Sequence, residues 1–279
     1  MPAQAASFSL HHIHGLHYSA DGRQLLIPMH HGLAIYGSNQ WSKAPGPEHD
    51  YMGFSITHNA FYSSGHPAPG SLLKNPLGLL KSPDRGQSWE SLGLMGEADF
   101  HLLATSYRTN RVYVINSEAN SRMPHPGLYS TTTDGQQWHA AKLTGVVGSP
   151  ESLAVHPTQD QVVAVGTRSG VFLSQNAGET FQRLKDTSQV FAVCFAVDEQ
   201  HLWFSSFTGK PGLTRLQWQT GQADTVELPA LEQDTVIYIA NNPVHMQEWA
   251  VATYKRNVYV TPDHGQTWKQ IAKQGVTLP

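Results

Sequence analysis

Cysteine is almost missing: Cys194 stands alone, which excludes an internal disulfide framework and any Cys-x-x-Cys zinc or redox site. Long hydrophobic runs are missing too. The longest wholly apolar stretch, Val190 to Val197, falls far short of the ~20 residues a membrane helix needs. No block of lysine and arginine occurs, and 18 basic against 21 acidic residues leave a net charge of -3. The expectation is therefore a protein that binds neither nucleic acid nor an anionic membrane. No segment carries an amphipathic helical period. The first seven residues, Met1–Ser7, have neither a charged n-region nor an apolar h-region. Their Ala3-Gln4-Ala5-Ala6 does look like the tail of a cleaved signal peptide, and an exported protein, periplasmic or extracellular, is expected. What is plentiful is histidine: 16 residues, nine of them within the first 66.

A repeat organises the 279 residues. Four segments read Ser/Thr, then Asp/Asn, Gly and an aromatic: Ser82 to Trp89 around Asp84, Thr132 to Trp138 around Asp134, Ser174 to Phe181 around Asn176, and Thr261 to Trp268 around Asp263. The second reads one residue short between its Asp and its Trp. Each follows an alternating apolar run. An Asp side chain accepts N–H groups within a tight turn, Gly takes the positive-φ position, and the aromatic starts the next strand and packs inward. The segments are β-hairpin corners, structural rather than catalytic.

These corners resemble the Asp-box, or BNR repeat, of sialidases, sortilin-type receptors and related β-propellers. The resemblance implies an all-β propeller and says little of activity. The acidic positions are spaced by 50, 42 and 87 residues, so one unit has lost its corner around Leu213 to Gln222, and another precedes residue 50 and ends near Trp41. Six units of about 46 residues suit four-stranded blades. The expected organisation is an N-terminal segment, residues 1–9, and a single six-bladed β-propeller, residues 10–275.

The starts of the innermost strands carry the candidate site. Aligned, they read His12-Ile13-His14, Asp50-Tyr51-Met52, Asp99-Phe100-His101, Glu151-Ser152-Leu153 and Asp234-Thr235-Val236, with Gln189 in blade five. Residues i and i+2 of a strand face the same way, and innermost strands converge on the channel. Second strands return to the same end and bring His30 or His31, and His66. Three readings follow. His12, His14, His31, Met52, His66 and His101 would form a transition-metal site, copper favoured by the thioether and zinc the alternative, with Asp50 and Asp99 in support. Asp50, Asp99 and Glu151 would serve a glycoside hydrolase, though not a sialidase, because no arginine begins an innermost strand. A channel of solvated polar groups would leave a scaffold for another exported protein. A monomer is expected.

The segments His12–Leu16, His31–Leu33, Asp50–Phe54, Ser64–Pro67, Asn75–Leu79 and Asp99–Leu102 also resemble a group of small exported bacterial propellers labelled glycosyl hydrolases. That resemblance implies export and a common site in the first three blades.

Overall fold

The computed structural model describes residues 8–279, so the stretch read as a signal-peptide tail lies outside the described residues. Six antiparallel sheets follow one another, each a four-stranded meander in chain order, the last with a fifth short strand. The innermost strands are His17–Tyr18, Asp50–Ile56, Leu103–Thr105, Pro150–Val155, Val190–Phe195 and Val236–Asn241. Each packs against the innermost strands before and after it, and the first meets the last. The result is a closed six-bladed β-propeller around a channel, as the repeat predicts.

The apolar residues form six cores, one between each pair of neighbouring blades. Strand alternation divides them. In blade one, Leu25 and Ile27 face Ala250 and Ile271 of blade six, while Leu26 between them faces Tyr51 and Phe54 of blade two. Val112 and Val114 likewise face blade two, and Tyr113 faces blade four. Strands covered on both faces read as continuous apolar runs, and each large side chain buried this way contributes roughly 1.5–3 kcal/mol. Cys194 lies on the innermost strand of blade five and lines the half of the channel away from the histidine-rich strand starts. Burial pushes its thiol up to about 12.

The seam between blades six and one is sewn by both ends of the described chain. Ser9 bridges Val276, Leu10 N–H donates to the Gly275 carbonyl at 2.6 Å, and Phe8 exchanges hydrogen bonds with Thr277. Phe8, Ser9, Val276 and Thr277 thus join the last sheet from outside the 10–275 span.

The corner segments join third and fourth strands, at the end of the channel opposite the histidine-rich starts. In blade two, Gly86 N–H donates to Ser82 Oγ at 2.8 Å and Ser88 N–H to Asp84 Oδ1 at 2.9 Å. Asn176 and Asp263 occupy the same place in their blades. Blade three differs from the sequence reading. Its corner starts at Thr131, whose Oγ1 accepts from Gly135 N–H, and Thr133 Oγ1 accepts from Gln137 N–H. The segment is therefore of full length, with a hydroxyl in the acceptor position. Asp134 stands at the left-handed position, φ 49°, equivalent to Arg85, Ala177 and His264. Its carboxylate reaches back to blade two, 2.6 Å from Lys81 Nζ and 2.8 Å from the Tyr62 hydroxyl. The corner aromatics pack towards the blade interfaces: Trp89 against Tyr51 at 4.8 Å between ring centres, Trp138 near Phe100, Phe181 in the core between blades three and four, and Trp268 in that between blades five and six.

Candidate metal centre at the channel mouth

Antiparallel pairing brings second-strand ends to the starts of innermost strands. Asp50 stands directly opposite His66 across one strand pair. In blade one, Met29 and Gly32 pair, so His30 and His31 form a two-residue turn whose side chains diverge. Blades two and three are pressed together at Gly53, where a Cβ would collide with the carbonyl oxygen of Phe100, the residue after Asp99, and the Asp99 charge is felt at Asp50. The innermost strands also bulge near their starts, between Tyr51 and Phe54, Pro150 and Ser152, Val190 and Ala192, and Val236 and Tyr238. Bulges re-aim side chains. The extra residues Glu151, Phe191 and Ile237 consequently line a mouth cavity of about 270 Å³, together with His14 and His101.

Two histidines converge on each of two carboxylates. His14 Nε2 lies 3.3 Å from Asp50 Oδ1, and His30 Nε2 lies 3.7 Å from Asp50 Oδ2. The ligand atoms of His14, His30 and Asp50 all fall within 4.8 Å of one another. His66 Nε2 and His101 Nδ1 approach Asp99 Oδ2 at 3.2 and 3.3 Å. Within the first group the close approach is not a hydrogen bond: His14 Nε2 and Asp50 Oδ1 are both buried without a partner, as is Asp99 Oδ1. Buried polar atoms left so are costly.

Electrostatics suit a ligand set. Burial, reinforced by the charges of His30, His12, His101 and His66, pushes His14 down to about 4. Burial also lowers His30, against the pull of Asp50. Asp50 is raised by burial, which outweighs the opposing attraction of His30 and His66. Burial thus keeps His14 a neutral imidazole at neutral pH and lowers the proton affinity of His30, as a ligand set requires, whereas the raised Asp50 carboxyl must give up its proton for a metal to bind.

The structure distributes the sequence candidates unevenly. His14, Asp50, His66, Asp99 and His101 do meet at the mouth. His12 stacks on His30, rings parallel at 4.2 Å, rather than reaching a carboxylate. Of the turn pair, His30 approaches Asp50, while His31 is exposed and edge-on to His11 and His30 at 6.4 and 6.5 Å. Met52 lies in the bulge, half-buried, and Gly53 takes its place in the cavity wall. Glu151 accepts from Arg168 Nε at 3.2 Å on the far side of the mouth. The signal that separates His30 from His31 is the two-residue turn, legible only once the strand register is known.

No protein-family profile matches the sequence, and a search of curated proteins finds no relative. Solved structures match the fold. A GH74 enzyme from Niastella koreensis superposes with a TM-score of 0.65 at 15% identity, over 96% of this chain and 46% of that one. A GH74 xyloglucanase from Xanthomonas campestris gives 0.59 at 14%, over 96% and 47%. YCF48 bound to D1 peptide gives 0.55 at 15%, over 97% and 85%. The chain spans about half the length of the two GH74 enzymes. These likenesses show a shared propeller. Among the described residues no helix is long and apolar enough to cross a membrane.

Proposed function

We propose that the chain binds a divalent transition-metal ion at the channel mouth through His14, His30 and Asp50. The observation that carries this reading is the pair of buried atoms, His14 Nε2 and Asp50 Oδ1, that face each other at 3.3 Å without hydrogen bonds. A cation between them would satisfy both. Two imidazoles and a carboxylate suit Zn(II) or Cu(II); the carboxylate and the position of Met52 in the bulge argue against Cu(I). Three protein ligands beside an open cavity leave room for water or a substrate atom, the arrangement of reactive rather than purely structural sites. Export remains part of the proposal, motivated by the composition of the Ala3–Ala6 stretch.

Competitive titration of Zn(II), Cu(II) and Cu(I) tests this. The double variant His14→Ala/Asp50→Asn should lose more than ~100-fold in divalent affinity, and Met52→Leu should change little. Because His14 is held near 4, metal should be retained below pH 6.5, where an exposed histidine site would release it. Equal weak binding by wild type and double variant would leave the channel as a polar-lined scaffold, comparable in use to the peptide-bound YCF48 propeller.

A second reading is glycoside hydrolysis, favoured by the raised Asp50 carboxyl, which suits a general acid, and by the GH74 neighbours. It would use Asp50, Asp99 or Glu151. Xyloglucan hydrolysis that vanishes in a folded Asp99→Asn variant would put this reading first.

A further inference from the structure

Chemistry divides the mouth in two. Blades one to three bring histidines and carboxylates, whereas blades four to six present an apolar wall to the same cavity. Leu153, Phe191 and Ile237 line it, and all three are only half-buried. Phe191 and Ile237 are the extra residues of their bulges, turned out of the blade cores that hold their neighbours Val190 and Val236. Apolar surface left open in a concave site gains free energy when an apolar ligand covers it. Two hydroxyls stand on this side without an acceptor. Ser152 lines the cavity from blade four, is almost fully buried, and its Oγ makes no hydrogen bond. Tyr238 lines it from blade six, which packs on blade one from the side away from Asp50. Burial pushes its hydroxyl up to about 12 with no hydrogen bond opposing the shift, so it stays a protonated donor at neutral pH.

Charge selects the head group of such a ligand. Asp50, Asp99 and Glu151 stand at the mouth, and Arg168 is the one permanent cation paired with any of them. The ion-free mouth therefore disfavours an anion. A divalent ion on His14, His30 and Asp50 reverses this, and its open position takes an oxygen donor. Ser152 and Tyr238 offer their hydroxyl protons to the same kind of atom. We propose that the loaded mouth binds a small carboxylic acid with an apolar body, its carboxylate on the ion and its body on Leu153, Phe191 and Ile237. This rests on the reading of the metal site. The cavity of about 270 Å³ lies just under the ~300–1,000 Å³ of drug-sized pockets, which limits the body to about one ring.

Calorimetry with phenylacetate and acetate, on Zn(II)-loaded and ion-free protein, tests the proposal. Loaded wild type should bind phenylacetate ~10-fold tighter than acetate, through burial of the ring. Ion-free protein should bind neither. Phe191→Ala/Ile237→Ala should keep its Zn(II) affinity, which also reports its folding, and bind the two acids equally. Tyr238→Phe should keep Zn(II) and weaken both acids roughly fivefold. With Co(II) in place of Zn(II), phenylacetate should change the visible absorption of the ion. Zn(II) binding with no preference for phenylacetate, or with that preference intact in Phe191→Ala/Ile237→Ala, would overturn the acid site and leave the metal site standing. Phenylacetate bound equally tightly without Zn(II) would mean that the ion is not its partner, and the proposal fails. No Zn(II) binding by wild type would remove both sites.

Discussion

His17 shows how one residue can tie stability to pH. It sits deep in the channel, between the mouth cavity and the far half, with Nε2–H donated to the Phe54 carbonyl at 2.8 Å. Burial pushes it down to about 4, and the hydrogen bond only partly opposes this. The folded value is below the unfolded value of ~6.5. Its contribution is therefore complete above pH 6.5 and lost as pH falls towards 4, reaching roughly 2–3 kcal/mol of destabilisation. Urea unfolding of wild type and His17→Asn from pH 8 to 4 should show the gap between them narrowing in acid. A constant gap would mean that His17 is protonated equally in both states. Histidine richness was legible in the sequence at this scale; the separate parts played by His17, His30 and His31 were not, since they depend on burial and on one turn.

Elements explain most of what the sequence did and did not disclose. Strand runs and corner spacing depend on nearest-neighbour chemistry, and the six blades were legible from them. The corner of blade three was misregistered because Thr133 can accept hydrogen bonds where the other corners use Asp or Asn. Two substitutions check the corrected register. Thr133→Asp should be tolerated or stabilising, since the turn N–H groups already point at that position. Asp134→Ala should cost about 1 kcal/mol or less, through Lys81 and Tyr62 rather than through its own turn. Thermal melts that rank the two in the opposite order would restore the original alignment. Met52 was misplaced for a different reason. The i, i+2 rule assumes an unbroken pleat, and the bulge after Tyr51 breaks it. Four innermost strands bulge near their starts, and their sequences share no residue pattern at the bulge that marks it in advance.

On the scale of the whole molecule, the closed ring has no single packed centre: six thin apolar layers stand between blades, around an axial channel. Losing any one layer opens the circle. Cys194 turns this into a clock. Thiolate is the reactive form, and a thiol held near 12 reacts on the order of a thousandfold more slowly than a free one at ~8.5. Pulsed alkylation at pH 8 should consequently stall in the native state and proceed at the rate at which blade five separates from its neighbours. Zn(II) should slow that clock if it binds the closed ring alone, and the His14→Ala/Asp50→Asn variant should tick at one speed with or without metal. The protein's only cysteine would then report, from the opposite end of the channel, whether the histidine mouth is loaded.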